Sequence, residues 1–142
     1  MKIFVAICFF ILLFNITSKA LSNGEVLYNQ AIEFLKKNDY KNAFIYFSIA
    51  CYNNYIPGCD MMGPVEYQID KNKGEQISKN WVKTLSKSKN QLASTHLKQV
   101  LKYYIDIYKQ LNNKELSNYF QKTYNKLFLH IEIEKINPHN GK

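Results

Sequence analysis

Cys51 and Cys59 are the only cysteines outside the first few residues of this chain, and seven residues separate them. The intervening "YNNYIPG" holds two Asn, a Pro and a Gly, which is a turn rather than part of a continuous helix or strand. A covalent link here would tie the end of one element to the start of the next. The redox state of this pair therefore constrains the fold more than any other local feature. The N-terminus bears on that state. "MKIFVAICFFILLFNITSKA" has Lys2 as a short positive region, then an apolar run from Ile3 to Ile16 broken only by Asn15. Ser18 and Ala20 place small residues at a cleavage position. Residues 1–20 are expected to be a secretory signal peptide. The run is shorter than the roughly 20 apolar residues a membrane span needs, and an uncleaved anchor is the alternative. Asn15-Ile16-Thr17 is a glycosylation sequon that would leave with the signal, and Cys8 does not read as a lipidation site. The expected location is exported, periplasmic or secreted.

An even cysteine count in an oxidising compartment points to a Cys51–Cys59 disulfide; the alternative is two buried free thiols. The spacing is not the C-x-x-C of redox catalysts. A zinc site would need two more close ligands, and His96, His130 and His139 are distant in sequence. No metal or cofactor is expected.

The pattern beyond the signal is helical. Ser22-Asn23-Gly24-Glu25 fits a capping box. In the stretch that follows, Leu27, Ala31, Phe34 and Leu35 share one face, and Lys36 and Lys37 suit its C-terminal end. "NDY" turns the chain. A second helix, about Tyr40 to Asn53, puts Ala43, Phe44, Phe47, Ala50 and Cys51 on one face. Two short amphipathic helices joined by a tight turn are antiparallel neighbours, and Ala31, Ala43 and Ala50 permit a close crossing. Pro57-Gly58 can open a third helix with Cys59 in its first turn.

"DYKNAFIYFSIACYNNYIPGCDMMG" resembles a tetratricopeptide-type repeat of the Sel-like branch, closest to the Helicobacter cysteine-rich protein family. In that family a helix pair ends in Ala-Cys, a short polar loop follows, and Gly-Cys opens the next pair. Here these are Ala50-Cys51 and Gly58-Cys59, with Gly63 four residues on. The match covers about Val26 to Gly63. It implies an all-α fold of helix pairs in an α–α superhelix, with Ala31, Phe34, Ala43, Phe47, Ala50 and Gly63 as packing positions. It also implies a secreted bacterial protein engaged in host or envelope interaction, in a family associated with β-lactam binding and hydrolysis.

After Gly63 the pattern decays, and Pro64 falls where a helix should continue. Ile77, Trp81, Val82 and Leu85 make a short amphipathic helix. Leu92, His96, Leu97, Val100, Leu101, Tyr104, Tyr108 and Leu111 form a stripe on a longer one. Leu116, Phe120, Thr123, Leu127 and Ile131 do so on the last, with Asn112-Asn113 as the turn between. Solenoids need about three units or capping helices. The organisation expected is a repeat region over 21–70, a helical C-terminal cap over 71–136 and a tail over 137–142. "LFLHIEIEK" alternates at its end and is the best rival for a strand.

Every basic side chain is Lys; the chain has no Arg. Residues 21–70 carry more acids than bases, whereas the Lys-rich stretch 71–126 has only Glu75, Asp106 and Glu115 against its lysines. Such a half can face an anionic envelope component, or it is simply a solvated face. Nucleic acid is not an expected partner, because the Arg forks that dominate base contacts are absent. Ser86-Lys87-Ser88-Lys89 fits S-x-x-K and Ser78-Lys79-Asn80 fits S-x-N, but Lys83-Thr84 is followed by Leu85 rather than Gly, and no sheet is foreseen to hold a third element. His96 reads as a satisfied core histidine. Tyr46, Tyr52 and Tyr55 are candidate binding anchors on or near the second helix. The reading that results is an exported, non-enzymatic helical-repeat scaffold for a protein or envelope partner. A periplasmic immunity protein against a toxin and a β-lactam-binding or β-lactamase-like protein are the alternatives.

Overall fold

A computed structural model describes residues 21–129. The signal peptide expected over 1–20, His130, Ile131, His139 and the tail over 137–142 lie outside the described residues. Among the described residues six α-helices follow one another: α1 Asn23–Lys36, α2 Tyr40–Tyr52, α3 Ile56–Tyr67, α4 Lys71–Lys87, α5 Gln91–Gln110 and α6 Lys114–Tyr124, the last running into a π-helical turn at Asn125–Leu129. The described residues contain no strand, and the protein is all-α. Each helix packs chiefly on its neighbours in sequence, and the odd-numbered helices also touch, α1 on α3 and α3 on α5. That pattern makes α1, α3 and α5 one layer.

Local chemistry explains the boundaries. Side-chain oxygens of Ser22, Asp39, Asp70, Asn90 and Asn113 accept from backbone amides in the first turns of α1, α2, α4, α5 and α6. Each satisfies an amide that has no partner within its helix. Only α3 lacks such a cap, and it has Pro57 in its first turn instead, where a missing N–H is harmless. Asn38, Asn54 and Asn112, the asparagines of the three expected turns, adopt left-handed backbone (φ 56, 61 and 58°) just after α1, α2 and α5. Asparagine enters that region more readily than other residues with a side chain, so these turns stop each helix sharply.

The expected face of α2 is inward, with Ala43, Phe47 and Ala50 fully buried. Cys51 in the last turn of α2 and Cys59 in the first turn of α3 form a disulfide, with Cα atoms 4.7 Å apart. The bond joins consecutive helices across the Asn54 turn. Two apolar clusters result. The smaller holds Ala31, Ala43, Phe47 and Val65. The larger is built on Tyr67, Val82, Leu97, Leu101, Tyr104, Tyr108, Leu116 and Phe120. α3 bridges the two, giving Val65 to one and Tyr67 to the other.

Three sequence expectations change in the structure. Pro64 does not end α3, which continues three residues further. A proline inside a helix leaves the carbonyl four residues back without its amide. Here that carbonyl belongs to Asp60, and the buried Tyr104 hydroxyl of α5 donates to it at 3.0 Å. Gly63 helps, because a residue before proline is pushed from helical backbone partly by its own Cβ, and glycine has none. The same glycine admits α4, since a Cβ at position 63 would run into the Ser78 side chain. Next, Leu92 does not join the stripe of α5: it is 77 % exposed in the first turn, before α5 meets its neighbours. Last, α6 does not continue as a regular α-helix through Leu127, because the π-helical turn begins at Asn125.

The tyrosines set an alkaline limit on this core. Burial raises the Tyr103 phenol from 10.0 to about 12, with the charges of Tyr28 and Asp60 adding to it. Burial also raises Tyr104 and Tyr108. A raised folded-state value means stability is fully present below pH 10 and declines as pH rises toward 12, because the unfolded chain ionises first. Circular dichroism melts should therefore hold steady up to about pH 10 and fall steeply above it, in step with late tyrosinate absorbance.

Candidate functional site

The layer formed by α1, α3 and α5 carries a groove of about 210 Å³. Leu35 of α1, Met61, Pro64 and Val65 of α3, and Tyr103 and Ile107 of α5 line it. The helical period brings them together: Met61, Pro64 and Val65 follow one face of α3, and Tyr103 and Ile107 are one turn apart on α5. The Tyr103 hydroxyl donates to Met61 Sδ at 3.3 Å, fixing two soft, broad side chains against each other. Pro64 is part of this floor, so the bond between Tyr104 and the Asp60 carbonyl supports the groove from behind.

A polar cluster spans α3, α4 and α5. Asp60 Oδ1 accepts from Trp81 Nε1 at 2.7 Å and lies 3.0 Å from His96 Nε2. A carboxylate only accepts, which places a proton on Nε2 of His96. One carboxylate thus joins α3, α4 and α5. Tyr28 of α1 feels the same charge: burial first, then Tyr55 and Asp60, raise its phenol above the usual value. Its ring packs on Phe47 and Tyr55 with centroids 5.2 and 5.4 Å apart. His96 is half-buried and has Asp60 as its partner, in keeping with a satisfied histidine on an otherwise apolar stripe.

The tyrosines singled out in the sequence do not form one patch. Tyr46 packs on Phe34, with centroids 5.1 Å apart. Tyr55 packs on Tyr28, and a Cβ at Gly24 would strike it. Tyr52 is 89 % exposed at the end of α2. The packing positions Ala31, Ala43, Phe47, Ala50 and Gly63 are all buried, and Phe34 is half-buried. Asp60, Met61, Tyr103 and Ile107 were missed by sequence reasoning. Met61 and Ile107 fall outside the stripes that marked core faces, and only the placement of α3 against α5 gives them a shared surface.

The serines of the S-x-N and S-x-x-K elements have structural partners. Ser78 is fully buried and shares a 2.5 Å hydrogen bond with the Tyr108 hydroxyl. Ser86 donates to the carbonyl of Lys83 at 2.9 Å, on the exposed side of α4. Among the described residues no three His, Cys, Asp or Glu side chains converge as metal ligands. None of the described helices is long and apolar enough to cross a membrane. No family model, curated protein or solved structure matches the chain. Fold and site together define an all-α protein of antiparallel helices with an apolar, tyrosine-bearing groove on its odd-helix layer.

Proposed function

We propose that this protein is an exported helical-repeat scaffold of the Sel-like, tetratricopeptide-like kind, and that it holds an apolar segment of a protein partner in the groove across α1, α3 and α5. The observation that carries this reading is the groove itself. Three alternate helices present side chains to one concave apolar surface, and the Tyr103 hydroxyl and Gln68 give it its few polar groups. Small, mostly apolar clefts with a few placed polar groups are the usual form of a recognition site. The disulfide and the signal-like N-terminus fit a protein that works outside the cytoplasm. A helix pair whose starts recur at nearly the spacing of tetratricopeptide units supports the repeat reading: Gly24 of α1 and Gly58 of α3 stand 34 positions apart.

The test places a photo-crosslinking residue at Ile107 in the groove or at Ile45, which is exposed on α2. One protein captured saturably from position 107, absent from position 45 and lost with Leu35→Asp is the expected result. Equal capture at both positions, or capture that ignores Leu35→Asp, refutes the groove. A co-encoded toxin as the captured protein would specify an immunity role.

A further inference from the structure

On a different surface, α4 and the α6 segment enclose a second cleft, of about 320 Å³. Lys79, Asn80, Lys83 and Ser86 line it from α4, with Thr123 and Lys126 opposite. We propose that this cleft is a binding site for a phosphate-type oxyanion. It lies in the Lys-rich half of the chain and does not rest on the groove reading.

The hydrogen-bond inventory leads to an anion. The Ser86 proton goes to the Lys83 carbonyl and the Thr123 proton to the Tyr119 carbonyl, each at 2.9 Å. The donors left among the lining residues are then the ammonium groups of Lys79, Lys83 and Lys126, the amide of Asn80 and the Tyr119 hydroxyl. Lys79 is held in place: its Nζ lies 5.0 Å from the Tyr119 ring centre and 3.7 Å from Glu75 Oε2. The other oxygen of Glu75 accepts from Asn113 Nδ2 at 2.8 Å. Among the described residues no carboxylate lies within ion-pair distance of Lys83 or Lys126. Val82 and Leu127 form an apolar floor, which weakens screening of the charges above it. Twelve lysines against three acids between positions 71 and 126 add a long-range attraction for the same ligand.

The type of anion follows from the cation. Arginine presents a planar fork that matches a carboxylate, and this chain has none. Lysine binds phosphate as a compact point charge. Three such charges around one volume favour a tetrahedral group with spread negative charge over a single carboxylate. A lipid headgroup and a phosphate-linked polymer share this chemistry.

The purified full chain is titrated with inorganic phosphate at constant ionic strength set by chloride, and backbone amides are followed by NMR. Saturating shifts confined to the Lys79–Ser86 and Tyr119–Lys126 segments are expected. K83Q/K126Q should weaken binding about ten-fold or more, as expected on losing two charge-assisted contacts. K87Q/K89Q removes the same net charge elsewhere in the basic half and should retain affinity. Both variants change exposed side chains, and matching thermal melts verify their folds. Shifts spread over all lysines, or equal weakening in the two variants, would show a general field and overturn the site. Phosphatidylglycerol vesicles, with phosphatidylcholine as control, and a soluble glycerol-phosphate polymer then separate lipid from polymer. Retention of either ligand by K83Q/K126Q also overturns the proposal.

Discussion

Tyr104→Ala should cost roughly 3–5 kcal/mol, the range for removing a fully buried aromatic ring. Tyr104 is 0 % exposed and packs on Tyr108 and Phe120 with centroids 6.0 and 5.1 Å away. The more discriminating variant is Tyr104→Phe, which keeps the ring and removes only the hydroxyl. It leaves the Asp60 carbonyl, already deprived of an amide by Pro64, without a donor. A buried acceptor left unpaired costs about 1–3 kcal/mol. Pro64→Ala restores an amide at the position that faces this carbonyl. Tyr104→Phe should therefore cost about 1 kcal/mol less in the Pro64→Ala background than in the native one. Urea denaturation of the four proteins measures that coupling. Equal costs in both backgrounds would mean that the hydroxyl does not compensate for the proline.

Reduction, or the double replacement Cys51→Ser with Cys59→Ser, should remove roughly 2–3 kcal/mol on the chain-entropy view, because the closed loop is short. For a domain of this size that is a drop of roughly 10 °C in melting temperature. The effect should concentrate on the N-terminal cluster of Ala31, Ala43, Phe47 and Val65, which is the smaller of the two cores and leans on the bonded helices. Hydrogen exchange read helix by helix would show α1 and α2 opening before α5 and α6. Two titratable thiols in the untreated protein, or an unchanged melting temperature after reduction, would mean that the bond contributes nothing in solution.

Much of the helical plan was legible because its signals are local. A side-chain oxygen at a helix start needs only its own amides, as at Ser22, and the Asp39 and Asn113 caps lie within turns read from the sequence. The inward face of α2, and that of α5 beyond Leu92, read correctly because burial on one side repeats with the helical period, as at Ala43, Phe47 and Ala50. Pro64 misled for the same reason. Its local rule predicts a break, and the donor that lifts the penalty sits forty positions away on α5.

The candidate sites were much less legible. Tyr46, Tyr52 and Tyr55 are close in sequence, yet a helix and a left-handed turn send them to different neighbours. Leu35, Met61 and Ile107 are far apart in sequence and share one groove. Lys79, Lys83 and Lys126 read as parts of a basic stretch, and only the approach of α4 to α6 makes them face a common volume. The sequence by itself determined that the chain is helical, where the turns at Asn38, Asn54 and Asn112 fall, most of the inward faces and which two cysteines can meet, because each of these depends on residues within a few turns of one another. The tertiary structure alone decided which exposed edges lie side by side, since that depends on how closely the helices cross. Gly63 against Ser78 and Gly74 against the Tyr67 backbone set the α3–α4 crossing, through contacts that no period in the sequence records.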